Sequence, residues 1–456
     1  MKAELYNYDL YPKVVLAGSE NIFTIKPLGI HAGLIAGESY TVVISGVEDG
    51  DPEFYPEWAV FHRITLQAQE DHCLRFPFVF PREEEYFVSV FRGSTEETLL
   101  VRMSVYALSE DMRGRYPFRG DLHVHTCRSD GKEAPAIVCA NYRAAGYDFM
   151  IISDHRRYYP SLEAISALTG VAPSFCIYPG EEVQLPTTDI HIINAGGKFS
   201  INALVAGSKN EQERGDDPAF RSLDGECPDV LSREEFEGQI KELAKVGWFD
   251  AESANLSYAT CLWAFERIRE AGGMSIFCHP YWRKKWGYHV PEKYLKLMIE
   301  QHRFDAFEVL GGESYYEQNG FQTALYYEKT GNGIALPIVG STDTHGSTEH
   351  DPNGLICSTI VFAPENTISS LNASVMSYYS VAVDTISKEF RLVGSLRLQK
   401  YACFLMNWYY PLHDRLCAIE GEYLRQYVVG EEKAKARLDL IANDVSDLMK
   451  KYISVE

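Results

Sequence analysis

The chain has 456 residues, 46% hydrophobic and 23% charged, with 64 acidic against 43 basic side chains and a formal charge of −21. This composition excludes wholesale disorder and fibrous repeats, and the length points to two or three domains. The acidic balance repels duplex nucleic acid and anionic membranes, so an anionic small-molecule substrate must meet a local positive centre made of basic residues or bound metal.

No run of about 18 or more uncharged apolar residues occurs, so no membrane span is expected. The N-terminal stretch from Met1 to Tyr6 carries an acidic residue and no apolar core, which argues against a cleaved secretory signal. The ten cysteines are scattered and make no C-x-x-C pair, consistent with thiols in a reducing, cytoplasmic setting.

Residues 1–117 read as a small all-β, sandwich-like domain. Runs rich in β-branched and aromatic residues recur at Tyr40 to Ser45, Ala59 to Leu66, Leu74 to Phe80, Tyr86 to Arg92 and Leu99 to Leu108, with turn clusters between them. The isolated His31, His62 and His72 carry no site pattern.

After Phe118-Arg119-Gly120 apolar strands alternate with helical stretches, the signature of α/β architecture. The expected order is a strand through Asp121 to His125, a helix at about Pro135 to Ala145, and strands at Asp148 to Ser153, Phe175 to Tyr178 and Ile190 to Asn194. A polar stretch, Gly207 to Asp229, follows, either a lid or a solvated insertion. A helix with a capping box at Ser232 and Glu235 comes next, then a helix from about Tyr258 to Ala271 closed by Gly272-Gly273. Further strands are Met274 to Cys278, Ala306 to Leu310 and Leu336 to Gly340. Residues 118–395 thus form an α/β domain, and 396–456 a helical C-terminal extension in which Leu438, Ile441, Val445, Leu448 and Tyr452 share one face.

The strand ends carry the chemistry. The first ends in His123-Val124-His125, whose alternating imidazoles point the same way, with Asp130 in the turn beyond. The next ends in Asp154-His155, and the third runs into Glu181-Glu182. His191 lies on the fourth, His279 ends the fifth, and Asp343-Thr344-His345 follows the last. Six histidines and three carboxylates at equivalent places, without paired thiols, suit Zn, Mn or Fe. They outnumber the ligands of one tetrahedral ion, so two or three divalent ions are expected.

These residues resemble the PHP (polymerase and histidinol phosphatase) superfamily. Gly120-Asp121-Leu122-His123-Val124-His125-Thr126 with Ser129-Asp130-Gly131 is similar to its first motif, and Ser153-Asp154-His155 to its second. Gly180-Glu181-Glu182, Cys278-His279-Pro280 and Ser341-Thr342-Asp343-Thr344-His345 are similar to its later ones, the whole covering about residues 119–346. The resemblance implies a distorted (β/α)7 TIM-like barrel with a trinuclear site at the strands' C-terminal face. The implied ligands are His123, His125, Asp130, His155, Glu182 (or Glu181, one register away), His191, His279, Asp343 and His345. His155, Asp343 and His345 are the expected catalytic residues, and Asp154 is expected to orient a ligand histidine.

The expected activity is metal-dependent phosphoesterase chemistry on a small phosphorylated metabolite, with a nucleotide as one option, through a metal-activated hydroxide. A β-domain before the barrel is similar to the family's carbaryl-hydrolase-like branch. A carboxyl-ester or carbamate hydrolase is therefore the alternative, and a non-catalytic binding or structural protein a second. Arg128, Arg156, Arg283 and Lys284 flank the ligand motifs and are the substrate-binding candidates, with Trp282 and Trp286 as a stacking wall. Cys127 is expected to be a small filler.

Overall fold

At residue 117 one set of strands gives way to another, in a computed structural model that describes residues 2–96, 98–210, 219–311, 316–348, 355, 357–385 and 391–456. Part of the polar stretch read as a lid or a solvated insertion, residues 211–218, lies outside the described residues. One compact unit comprises Met1–Tyr116, Gln399–Leu416 and Asn443–Glu456, and the other Pro117–Leu398 and Cys417–Ala442. The segment beyond residue 396, expected as an extension of its own, is therefore divided between the two. Its expected single apolar face is also broken, because Ala434–Ile441 and Asp444–Tyr452 are separate helices.

In the first unit the β-rich runs form two sheets. One has the order Tyr8–Tyr11, Glu20–Pro27, Leu74–Val79. The other runs Ile453–Ser454, Val14–Leu16, Leu99–Leu108, Glu84–Arg92, Ser39–Gly46, Phe61–Gln67. Ser39–Gly46 pairs on both edges, with Val43 opposite Ser89 and Arg63, and its interior is buried throughout. A long apolar run is what a strand covered on both faces requires.

The second unit is mixed α/β. Seven of its strands position the site: β1 (Tyr116–Asp121), β2 (Phe149–Ile151), β3 (Gly180–Val183), β4 (Ile192–Ala195), β5 (Met274–Phe277), β6 (Ala306–Leu310) and β7 (Ile338–Gly340). β3 to β7 form one sheet in that order. β1 and β2 lie in a second sheet, flanked by Cys176–Tyr178 on one side and by Cys357–Ala363, Ser380–Asp384 and Arg391–Val393 on the other. Two isolated parallel bridges join the sheets, Val124 with Thr344 and His155 with Glu182. Strand neighbours can thus be followed from β1 through β7 and back to β1.

Among the seven site-bearing strands, β4 runs against its neighbours, antiparallel to both β3 and β5. The expectation that His191 sits within this strand is corrected: it precedes Ile192, which pairs with Val183 and Phe277. Reversal explains why it still belongs to the cluster, since the start of a reversed strand lies at the rim where its neighbours end. Helices follow the expected signals. Ser232 accepts from the Glu235 N–H (3.2 Å) while Glu235 accepts from the Ser232 N–H (2.8 Å), a complete capping box. Glu252–Glu270 ends where Gly272 takes a left-handed φ of 76°.

Candidate metal centre

Glu182 is the centre of the site. Its Oε1 lies 2.6 Å from His191 Nδ1, 3.3 Å from His279 Nε2 and 3.5 Å from His123 Nε2. Its Oε2 faces His155 Nδ1 and lies 3.5 Å from His125 Nε2. One carboxylate thus presents each oxygen to a different group of imidazoles. Asp343 Oδ1 lies 2.9 Å from His125 Nε2 and 3.2 Å from His123 Nε2. Asp130 Oδ2 lies 3.4 Å from both His155 Nε2 and His345 Nε2. All nine of the expected ligand residues therefore converge on one place.

The backbone explains the convergence. Asp343 donates its N–H to the His123 carbonyl (2.9 Å), and His125 donates to Thr344 (3.0 Å), locking the first and last motifs together. Asp343 and His279 hold positive φ angles of 48° and 28°. Such backbone costs of order 1–3 kcal/mol per residue and persists where surrounding structure imposes it. Asp121, fully buried, accepts from the N–H groups of His123 (3.1 Å) and Thr342 and from the Tyr142 hydroxyl (3.0 Å). Burial pushes its carboxyl up to about 7.

Partners around the centre set which nitrogen faces inward. His123 Nδ1 donates to Glu308 Oε2 (2.9 Å) and His345 Nδ1 to the Asp343 carbonyl (2.8 Å), which turns each Nε2 toward the carboxylates. The Gln184 side-chain amide lies 2.9 Å from His155 Nδ1 and 2.8 Å from His191 Nε2, with the direction of each hydrogen bond set by the histidine tautomer. Glu308, Gln184 and the buried His289 were not anticipated, because each stands outside any motif. Glu181 is turned away onto Ser200 (2.8 Å) and the Ile201 N–H, so Glu182 is the member of the pair in the site.

Asp154 departs from expectation. Its carboxylate accepts from the Thr126 N–H (2.9 Å), the Thr126 hydroxyl (2.8 Å) and the Ser129 hydroxyl, bracing the turn that carries Asp130 rather than a histidine. Cys127 and Cys278 have thiols pushed up by burial, and Cys278 donates to the His191 carbonyl, so neither offers a thiolate.

The donor set fits divalent cations. His123 Nε2, both nitrogens of His125, His191 Nδ1 and Glu182 Oε2 are buried without hydrogen-bond partners, although carboxylates and imidazoles crowd them. Burial together with neighbouring His155 and His345 pushes His125 down to about 3, which leaves one ring nitrogen with its lone pair available. Against complete burial, His155, His191 and His123 hold Glu182 well below the usual carboxylate range. Imidazoles facing ionised carboxylates suit Zn, Mn or Fe, and the same carboxylates, against burial, raise His123, His155, His279 and His345, so a bound cation would take the place of their protons. The face of the cluster open to solvent is formed by His345 (41% exposed), Asp130 (38%) and His155 (20%).

The four basic candidates separate. Arg128 is bound through two nitrogens to Glu163 at 2.9 and 2.7 Å, so its charge is committed to a carboxylate. Arg283 is 72% exposed and reaches Glu317 (3.1 Å), while Lys284 reaches Asp189 (2.5 Å) and lies over the Trp282 ring. Arg156 lines a cavity of about 290 Å3 with Gln184, Thr188, Asp189, Ser208 and Arg233, and its buried Nε has no hydrogen-bond partner. Trp282 packs on His191, His279 and His289, whereas Trp286 is 89% exposed; the two do not make one wall.

No family model matches the sequence, and no curated protein matches it. Among solved structures, the chain is similar to a two-domain protein from Bacteroides vulgatus containing a predicted PHP-like metal-dependent phosphoesterase. The identity is 14%, the TM-score 0.37, and the match covers 59% of this chain and 65% of that one. The chain thus spans less than two thirds of that structure's own length. It is also similar to a candidate metal-dependent phosphoesterase from Bifidobacterium adolescentis (18% identity, TM-score 0.32, covering 52% and 90%). An amidohydrolase from Chromobacterium violaceum matches at 17% identity and a TM-score of 0.27, covering 50% of this chain and 88% of that one.

Proposed function

We propose that this protein is a metal-dependent hydrolase that cleaves a phosphate ester of a small anionic metabolite, using two or three divalent ions held by the nine converging residues. We read the cyclic arrangement of β1 to β7 as a distorted (β/α)7 barrel and the two sheets of the first unit as a small sandwich. The observation that carries the function is Glu182: each of its oxygens faces a separate group of imidazoles, as a carboxylate shared between ions requires. Bound ions would supply an activated water and neutralise charge on the phosphoryl oxygens.

The chain's own residues supply the rest. Asp343 and Glu182 orient His123, His125 and His279 in the buried half of the site. His155 and His345 stand at the open face, each with Nε2 3.4 Å from Asp130, and with Asp130 would hold an ion on the side from which a substrate enters. Arg156, whose buried Nε has no hydrogen-bond partner, supplies positive charge for an anion on an otherwise acidic protein, whereas Arg233 in the same lining is paired with Glu237 (2.8 Å).

The test is a hydrolysis panel on metal-stripped protein reconstituted with manganese, zinc or iron, with Asp343→Ala as control. Phosphate release that needs metal and disappears in the variant supports the proposal. Cleavage of carboxyl or carbamate esters without phosphate release would move the protein to that chemistry, and silence throughout with metal bound would overturn the hydrolase assignment.

A further inference from the structure

His279 reaches the centre through Nε2, and its other nitrogen is engaged by a second histidine. His289 Nδ1 lies 3.3 Å from His279 Nδ1, the two rings stack with centroids 5.2 Å apart, and both side chains are buried. The far nitrogen of His289, Nε2, lies 2.6 Å from the backbone carbonyl of Asp189. A carbonyl only accepts, so His289 Nε2 carries the proton and donates it. The Nδ1 of a neutral His289 is then a lone pair. His279 must therefore carry its proton on Nδ1 and donate it to His289, which leaves Nε2 as the nitrogen facing Glu182 Oε1 (3.3 Å) and Asp343 Oδ2 (4.0 Å).

The chain holds the pair together by construction. A short hairpin, Arg283–Lys284 with Gly287–Tyr288, lies between the two histidines. At its base the His289 N–H donates to the Trp282 carbonyl (2.8 Å) and the Val290 N–H to the Pro280 carbonyl (3.1 Å). His123 is fixed by a carboxylate and His345 by a backbone carbonyl; His279 reaches its carbonyl only through the second imidazole.

We infer that His289 is a positioning residue for the metal centre: the relay Asp189 carbonyl, His289, His279 fixes the tautomer and orientation of His279 so that Nε2 is the ligating atom. This rests on the metal-binding proposal above. The acceptor–donor pair that His289 provides is one that an amide side chain can also offer.

The test uses the full chain with His289→Asn, His289→Gln and His289→Leu, each checked for an unchanged fold by circular dichroism. Zinc affinity is measured by competition with a chelator, and the tautomer of His279 by long-range 1H–15N correlation on histidine-labelled, zinc-loaded protein. Expected is a loss of about 10–100-fold in affinity for the Leu variant, with at least one amide variant within a few-fold of the wild type. The wild type is expected to show His279 protonated at Nδ1 and metallated at Nε2, and the Leu variant to lose the protected Nδ1 proton. Wild-type affinity and an unchanged His279 signature in the Leu variant would overturn the relay, as would equal losses in all three variants. Absence of zinc binding by the wild-type protein is a different failure, since it overturns the metal proposal itself.

Discussion

Glu308, on β6, accepts a hydrogen bond from Nδ1 of His123 at 2.9 Å and another from the backbone N–H of His279 at 3.2 Å. Two candidate ligands from different strands are thus tied to one buried carboxylate that faces no solvent. Glu308→Ala frees both and is expected to weaken metal binding about 10–100-fold, measured by chelator competition, with secondary structure retained. An unchanged affinity would show that His123 is oriented by its packing alone.

Arg128 and Arg156 make opposite expectations although both follow ligand motifs. Arg128→Ala breaks only the pair with Glu163, so kcat/KM for the best substrate of the panel is expected to stay within about twofold, a change small against the tenfold that 1.4 kcal/mol represents. Arg156→Ala removes a cation from the cavity beside the site, and KM for a phosphate ester is expected to rise about tenfold or more, the worth of a charge-assisted hydrogen bond. Steady-state kinetics on the two variants side by side separate them.

Arg143 is fully buried in the second unit. It donates to Glu420 Oε2 at 3.0 and 2.7 Å and to the Tyr147 carbonyl at 2.9 Å. Glu420→Ala leaves a buried guanidinium short of its main partner, and a loss of about 3–5 kcal/mol is expected. Urea denaturation followed through the second unit checks it. Removal of residues beyond 398 should do the same, since Cys417–Ala442 belong to that unit.

Lys13, buried in the first unit, donates to the Leu10 carbonyl (2.9 Å) and lies over the Tyr452 ring. Burial lowers its pKa from 10.5 to about 8, Asp9 opposing the change. Below pH 8 the amine is charged in both native and unfolded chains and the cost of burying it is constant. Between pH 8 and 10.5 the unfolded chain holds the proton that the native chain has released, so stability rises with pH. Thermal melts from pH 7 to 9.5 should therefore show the wild type gaining stability relative to Lys13→Met. Asp9 keeps Lys451 and the Tyr452 hydroxyl as partners in that variant, which isolates the lysine.

Legibility from sequence followed the range of the interactions. His123-x-His125, Asp154-His155 and Asp343-x-His345 are local patterns at strand ends, and the structure gathers their histidines and Asp343 while Asp154 braces the adjoining turn. The strand direction of β4 was hidden, because hydrophobic runs do not encode orientation and His191 stands one residue outside the strand. Glu308 acts through partners distant in sequence, Gln184 and His289 each have a partner within ten residues, and none of the three carries a motif. Arg128 lies on the loop of a ligand motif, but the partner that claims its charge, Glu163, is 35 residues away in sequence. The strand Ile453–Ser454, which pairs with Val14–Leu16, is too short to leave a signal in a helical tail.

The most direct test of the account is metal stoichiometry, measured by elemental mass spectrometry on the purified full chain after loading with zinc or manganese and removal of free ion. Glu182, whose two oxygens face different imidazole groups, is the discriminating residue. Two or more equivalents are expected in the wild-type protein and at most one in Glu182→Gln. No bound metal in the wild type, or the same stoichiometry in both proteins, would contradict a centre built around this carboxylate.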